Sequence, residues 1–166
     1  MRSEWHLREL EPGDQDFLWE MLYVALWDAP GMPRRPRSIL KDPRIMRLVE
    51  NWGRPDDFGL VTVDRNSGEH AGAIWSRLDR FDGLEDYGCS YPCLGIAVAE
   101  PYQGSGVGTL LMSRFIEDLR DRVSGLRLGV NPENSRALRL YEKSGFVQYA
   151  VGAGDYPQMK LTFRQS

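Results

Sequence analysis

Gly104, Gly106 and Gly108 place three glycines within five residues, between the apolar run Leu94–Ala99 and a segment whose Val107, Leu111, Phe115 and Leu119 recur every four residues. A strand, a glycine loop and a helix in that order turn free backbone N–H groups and the positive end of a helix toward an anion. Glycine suits such a loop because the backbone can approach a ligand closely or take positive φ there. The expected ligand therefore carries phosphate; a bare strand-to-helix turn has less need of three glycines. Two familiar nucleotide loops do not fit. Gly104-Ser105-Gly106-Val107-Gly108-Thr109 lacks the third glycine of G-x-G-x-x-G, and no Lys-Ser or Lys-Thr follows as a P-loop requires. Cys89 and Cys93 form a C-x-x-x-C pair, with His6 and His70 far from it in sequence. That spacing favours reduced thiols in a cytosolic protein over a zinc site, and no metal is expected. Tyr141 shares a helical face with Ala137 and Leu138, and that period by itself marks a packing residue.

The elements that must position these residues follow from periodicity. Trp5 to Leu10 alternates as a half-buried strand does, and Glu11-Pro12-Gly13-Asp14 breaks it. Phe17, Leu18, Met21, Leu22, Ala25 and Leu26 predict a helix with Asp14 available as its cap. Pro30 to Pro36 reads as an extended linker with positive charge. A second helix is expected from Asp42 as cap and Pro43 at its first position, with Ile45, Leu48, Val49 and Trp52 as its stripe and Gly53 ending it. Phe58 to Asp64 and Ala71 to Leu78 form a hairpin about Arg65-Asn66-Ser67-Gly68. After the strand and glycine loop come a helix, a strand at Leu126 to Val130, a helix at Asn134 to Ser144 ended by Gly145, and a closing pair of strands between Phe146 and Phe163. The order β-α-α-β-β-β-α-β-α-β-β predicts an α/β fold, a mixed sheet with helices on its faces.

Gln103-Gly104-Ser105-Gly106-Val107-Gly108, after Ile96-Ala97-Val98, resembles the Q/R-x-x-G-x-G/A acyl-CoA signature of the GNAT superfamily of N-acetyltransferases. Asn131 to Phe146 is similar to that family's N-x-x-A-x-x-x-Y-x-x-x-G-F segment. The two motifs stand in the family's order and cover about Leu94 to Val147; the first ninety residues agree only in element order. The resemblance implies one GNAT-like domain over residues 1–166, with a mostly antiparallel mixed sheet splayed at its centre and helices on both faces. It implies acetyl-CoA as cosubstrate. Backbone N–H groups from Gln103 through Thr109, including Gly104, Ser105, Gly106, Val107 and Gly108, would hold the pyrophosphate, with the Ser105 hydroxyl added. The strand Ile96, Ala97 and Val98 would meet the pantetheine arm, and one of its N–H groups could polarise the thioester carbonyl. Asn134 and Ala137 belong to the same cofactor set, although Asn134 is also simply an N-cap. Tyr141 matches the tyrosine that donates a proton to the departing thiolate, the one catalytic assignment.

The resemblance implies an amine acceptor, small molecule in preference to peptide, attacked directly within a ternary complex. Many relatives place a Glu or Asp in the strand before the glycine loop; Leu94 to Ala99 has none. Glu100 just beyond it, and the loop carrying Asp79, Asp82, Glu85, Asp86 and Tyr87, are the candidates for drawing in or deprotonating a cation. Trp27, Asp28 and the linker to Arg37 form the other expected rim. A cysteine-linked acyl intermediate lacks a nearby histidine in sequence. Two alternatives stay open: a catalytically silent acyl-CoA-binding sensory module, and an acetyltransferase for protein N-termini or lysines.

The 166 residues carry 21 Lys+Arg against 24 Asp+Glu, a formal net charge of -3, which excludes wholesale nucleic-acid binding as the primary role. The charged N-terminal stretch has no apolar core of a secretory signal, and no run reaches the roughly 18 apolar residues of a membrane span. A cytoplasmic protein is expected, with a homodimer open as its assembly.

Overall fold

The computed structural model describes residues 5–78, 91–152 and 155–163. Its elements are β1 (Trp5–Glu9), α1 (Gln15–Ala25), α2 (Pro43–Met46), β2 (Phe58–Asp64), β3 (His70–Arg77), β4 (Cys93–Val98), α3 (Val107–Leu119), β5 (Gly125–Gly129), α4 (Ser135–Lys143), β6 (Val147–Val151) and β7 (Pro157–Thr162). The order is the one the hydrophobic periods predict. The strands form one seven-stranded sheet, β1-β2-β3-β4-β5-β7-β6. All neighbours are antiparallel except β4 and β5.

Strand alternation sends successive side chains to opposite faces. Leu60, Ile74, Leu94, Leu126 and Leu128 join Leu111 and Phe115 of α3 and Tyr141 of α4 in one core. Val61, Ala73, Trp75 and Ala97 join Leu18, Met21 and Leu22 of α1 in the other. Both faces of the sheet are therefore covered, as the GNAT resemblance implies. No helix among the described residues is long and apolar enough to cross a membrane.

Two local expectations are corrected. Asp14 precedes α1 but does not cap it: its carboxylate accepts from the Glu11 amide at 2.8 Å and from both Arg8 Nη atoms at 2.9 Å, closing the short 3-10 turn before the helix. The Arg8 hydrogen bond holds the Asp14 carboxyl below the usual carboxylate range. The second helix is cut to Pro43–Met46, although Asp42 does cap it through the Arg44 amide. Arg77 supplies the reason. Its Nη1 donates to the carbonyls of Arg47 and Glu50, both at 2.8 Å, which a continuing helix would need as acceptors. Asn51 at φ 51° and Gly53 at φ 116° then turn the chain away. Val49 and Trp52 remain buried as the stripe predicts.

Candidate active site

β4 and β5 share a single bridging pair, Cys93 with Arg127, where the Arg127 amide donates to the Pro92 carbonyl at 3.0 Å. Beyond it the two strands part. The antiparallel register of β4 on β3, continued by the Ala99 amide on the Ala71 carbonyl at 2.8 Å, makes residues 93, 95, 97 and 99 the hydrogen-bonded partners of β3. The backbone polar groups of Ile96 and Val98 accordingly face the gap, while those of Ala97 are spent on β3. On the far side the Val130 amide bonds the Pro157 carbonyl at 3.1 Å, which turns the polar groups of Gly129 toward the same gap. The splay expected from the family is thus a physical opening between two strand edges. Ile96 and Val98 line it with backbone; Ala97 contributes only a side chain to the α1-side core.

The glycine loop closes one end of this gap. Gly104 and Gly106 have φ of 81° and 90°, conformations that an L side chain takes only at a cost, and Gly106 is the N-cap position of α3. A Cβ at either would meet nothing within 4 Å, so the loop is open on the side where a ligand could approach. Gly108 differs: its Cβ would touch Val98 and Leu140 at 3.7 and 3.9 Å, inside the protein. The N–H groups of Gln103 and Ser105 are already used, donating to Glu100 and Tyr102 carbonyls at 3.3 Å each, and the Ser105 hydroxyl also donates to the Tyr102 carbonyl. The Gln103 side chain donates to the Val98 carbonyl at 3.1 Å and so ties the loop to the strand edge. Free donors toward an anion are then Gly104 and Gly106 of the loop and Val107, Gly108 and Thr109 of the first helical turn.

Tyr141 enters from α4. It is 8% exposed, packs on Phe146 with ring centroids 5.9 Å apart, and comes within electrostatic reach of Cys93, the residue at the fork. Burial first, and Cys93 second, push its phenol up to about 12, so it stays a proton donor across the physiological range. Asn134 is the N-cap of α4, its Oδ1 accepting from the Ala137 amide at 3.2 Å; the Ala137 amide is thereby spent within the cap. Arg136, Arg139 and Lys143 lie exposed along the helix.

The structure brings Ile96, Val98, Gly104, Gly106, Val107 and Tyr141 around one gap. It sets Glu100 exposed in the turn after β4. Asp79, Asp82, Glu85, Asp86, Tyr87 and Cys89 lie outside the described residues. The linker rim is more ordered than its prolines suggest. Tyr23 sits between the guanidinium groups of Arg34 and Arg37, 4.8 and 4.6 Å from its ring, and Asp28 binds Arg35 through both its amide and its side chain. Gly95, in mid-β4, escaped the sequence reading; a glycine inside an apolar strand is itself a signal that something approaches closely.

Residues 19–146 match the Acetyltransferase (GNAT) family model, and the chain belongs to this family of acetyltransferases, whose cosubstrate is acetyl-CoA. Within it, the mycothiol acetyltransferase of Thermobifida fusca (strain YX) is 38% identical over 116 residues, covering 69% of this chain and 35% of that protein. The mycothiol acetyltransferase of Kineococcus radiotolerans is 32% identical over 152 residues, 88% of this chain and 46% of that protein. The chain spans less than half the length of these relatives. Among solved structures, yncA from Salmonella typhimurium with its cofactor acetyl-CoA matches with a TM-score of 0.70 at 21% identity, over 99% of this chain and 96% of that one. Spermidine N-acetyltransferase from Vibrio cholerae in complex with CoA and spermine matches with a TM-score of 0.64 at 19% identity, over 98% and 97%. These likenesses establish the fold.

Proposed function

We propose that this chain transfers an acetyl group from acetyl-CoA to the amine of a small molecule, by direct attack in a ternary complex. The observation that carries the reading is the convergence on one opening of an unpaired strand edge, a helix N-terminus and a protonated phenol. The edge at Ile96 and Val98 offers backbone partners to an amide-bearing arm in the manner of an added strand. The first turn of α3 offers donors to the pyrophosphate. Acetyl-CoA supplies the activated thioester. The N–H of Ile96 or Val98 then stands to stabilise charge developing on the carbonyl oxygen. As the amine nitrogen bonds to the carbonyl carbon and the carbon–sulfur bond breaks, the Tyr141 hydroxyl delivers a proton to the leaving sulfur, and the proton that the nitrogen sheds in becoming an amide restores the phenol. The amine has to arrive without its extra proton. The mycothiol acetyltransferase relatives support a small acceptor, as does the spermidine enzyme among the structural neighbours.

A panel of amines and short peptides, assayed for CoA release, tests this. Release is expected with a small amine and not without acceptor, and initial rates varied in both substrates should give intersecting lines. Parallel lines would overturn direct attack. Acetyl-CoA binding with no release from any acceptor would make the chain a binding module.

A further inference from the structure

On the sheet face opposite Tyr141 lies a pair of residues that the reading above leaves unused. Gly95 lies on β4 between the fork residue Cys93 and Ala97, and its partner across the ladder is Trp75 of β3. The indole lies on Gly95: a Cβ there would stand 2.4 Å from Cζ2, 2.5 Å from Cε2 and 2.8 Å from Nε1 of Trp75. No other residue of β4 could sit under the ring. An indole rooted on β3 and resting over β4 has crossed one strand spacing, about 4.8 Å, toward the opening between β4 and β5. It does so on the α1 side of the sheet, where Trp75 is 2% exposed and packed in the core with Leu18, Met21 and Leu22. Tyr141 approaches from the core of the α3 and α4 side. A group at the fork would then have the phenol on one face of the sheet and the indole on the other.

We propose that Trp75, seated on Gly95, is a specificity-determining residue that limits the acyl group to a short chain, accepting acetyl and excluding butyryl and longer acyl groups. The proposal rests on the reading of the gap as the acyl-thioester site. A rigid aromatic edge held by a packed core cannot retreat to admit further methylenes, because interiors at native density have no spare volume to receive it. Gly95 makes the arrangement obligatory, since any side chain there would lift the ring.

The experiment compares acetyl-CoA, propionyl-CoA and butyryl-CoA, by calorimetric Kd and by kcat/KM with one amine acceptor, in the parent, Trp75→Phe and Trp75→Leu. The parent should discriminate by roughly 10- to 200-fold per added methylene, the range that hydrophobic pockets achieve. Trp75→Leu should shrink the ratio of acetyl to butyryl by about tenfold or more, with Trp75→Phe intermediate; a general loss of packing would lower all three cosubstrates together and leave the ratio in place. A parent that accepts butyryl-CoA as well as acetyl-CoA overturns the proposal without any variant, which keeps it testable should the variants fail to fold. An unchanged ratio in a folded Trp75→Leu overturns it equally. A parent that binds none of the three has instead lost the reading of the gap itself.

Discussion

Replacing Gly106 by alanine should damage cofactor binding and stability together, whereas the same replacement at Gly108, two residues on, should leave binding alone and stabilise the fold. Gly106 holds φ at 90° before the first turn of α3, and alanine in that region costs about 1–2 kcal/mol. Nothing stands within 4 Å of its Cβ, so the loss is one of backbone conformation, with no clash added. For a chain of this size each kcal/mol moves Tm by about 2–4 °C, giving a fall of about 2–8 °C. The methyl would project into the open space beside the first-turn amides. Displacing one charge-assisted hydrogen bond to pyrophosphate costs about 1.5–3 kcal/mol, which weakens acetyl-CoA by about 10- to 150-fold. Gly108 lies inside the helix with ordinary contacts for a Cβ at 3.7 and 3.9 Å, and alanine there gains up to about 1 kcal/mol of helix propensity. Its methyl faces Val98 and Leu140, away from the ligand side. Differential scanning calorimetry without ligand and titration calorimetry with acetyl-CoA read the two effects separately. Undiminished affinity in folded Gly106→Ala, or an equal loss in Gly108→Ala, would refute the placement of the anion at this helix end.

Tyr141→Phe should lower the single-turnover rate of acetyl transfer by roughly 10²- to 10⁴-fold while acetyl-CoA Kd changes little; an unaltered chemical step would leave Tyr141 as packing. Because its folded pKa is raised to about 12, the stability that Tyr141 contributes is complete below pH 10 and is lost as pH rises from about 10 through about 12, a window that tyrosinate absorbance in the parent and in Tyr141→Phe can follow. The buried pair of Arg77, 4% exposed, and Asp57, 2% exposed, joined at 2.7 Å, predicts that Asp57→Asn loses about 3–5 kcal/mol in urea unfolding at neutral pH, since it strands a guanidinium. Burial works against the Asp57 carboxylate, yet Arg77 and the amides of Gly53 and Arg54 outweigh it and hold its pKa low. Its contribution is therefore present above the unfolded value of about 3.9 and lost as pH falls through the lower folded one; unfolding titrated downward from about pH 5 should show a steeper decline in the parent than in Asp57→Asn.

What could be read from the sequence was whatever local chemistry dictates. The apolar alternation in β4, the glycines before α3 and Asn134 before α4 each fix their element through nearest neighbours, and both ends of those elements fell within a residue or two of expectation. The shortened α2 could not be read, because the guanidinium that takes its carbonyls arrives from β3, 27 and 30 residues along the chain. Asp14 was misassigned for the same reason, its oxygens going to Arg8 on β1 in preference to the helix behind it. At the site, the motif gave the loop and Tyr141, but only the register of β4 on β3 shows that Ile96 and Val98 turn their polar groups to the gap while Ala97 turns its groups away. Trp75 reads in sequence as one more buried aromatic; its position over Gly95 is a property of strand pairing.

Among the described residues Cys93 and Arg127 form the one ladder contact between two blocks of sheet, β1 to β4 and β5-β7-β6, so shear between those blocks meets little backbone resistance beyond that pair. A cosubstrate arm bonded to Ile96 and Val98 on one side, with Gly129 facing it on the other, would work as a keystone. Amide hydrogen exchange at those three positions should then slow on loading, while the β2–β3 hairpin, already paired along its length, keeps its rate. The fold in that state would be stiffer across its middle than any of its own residues can make it, and release of the cosubstrate would restore the give.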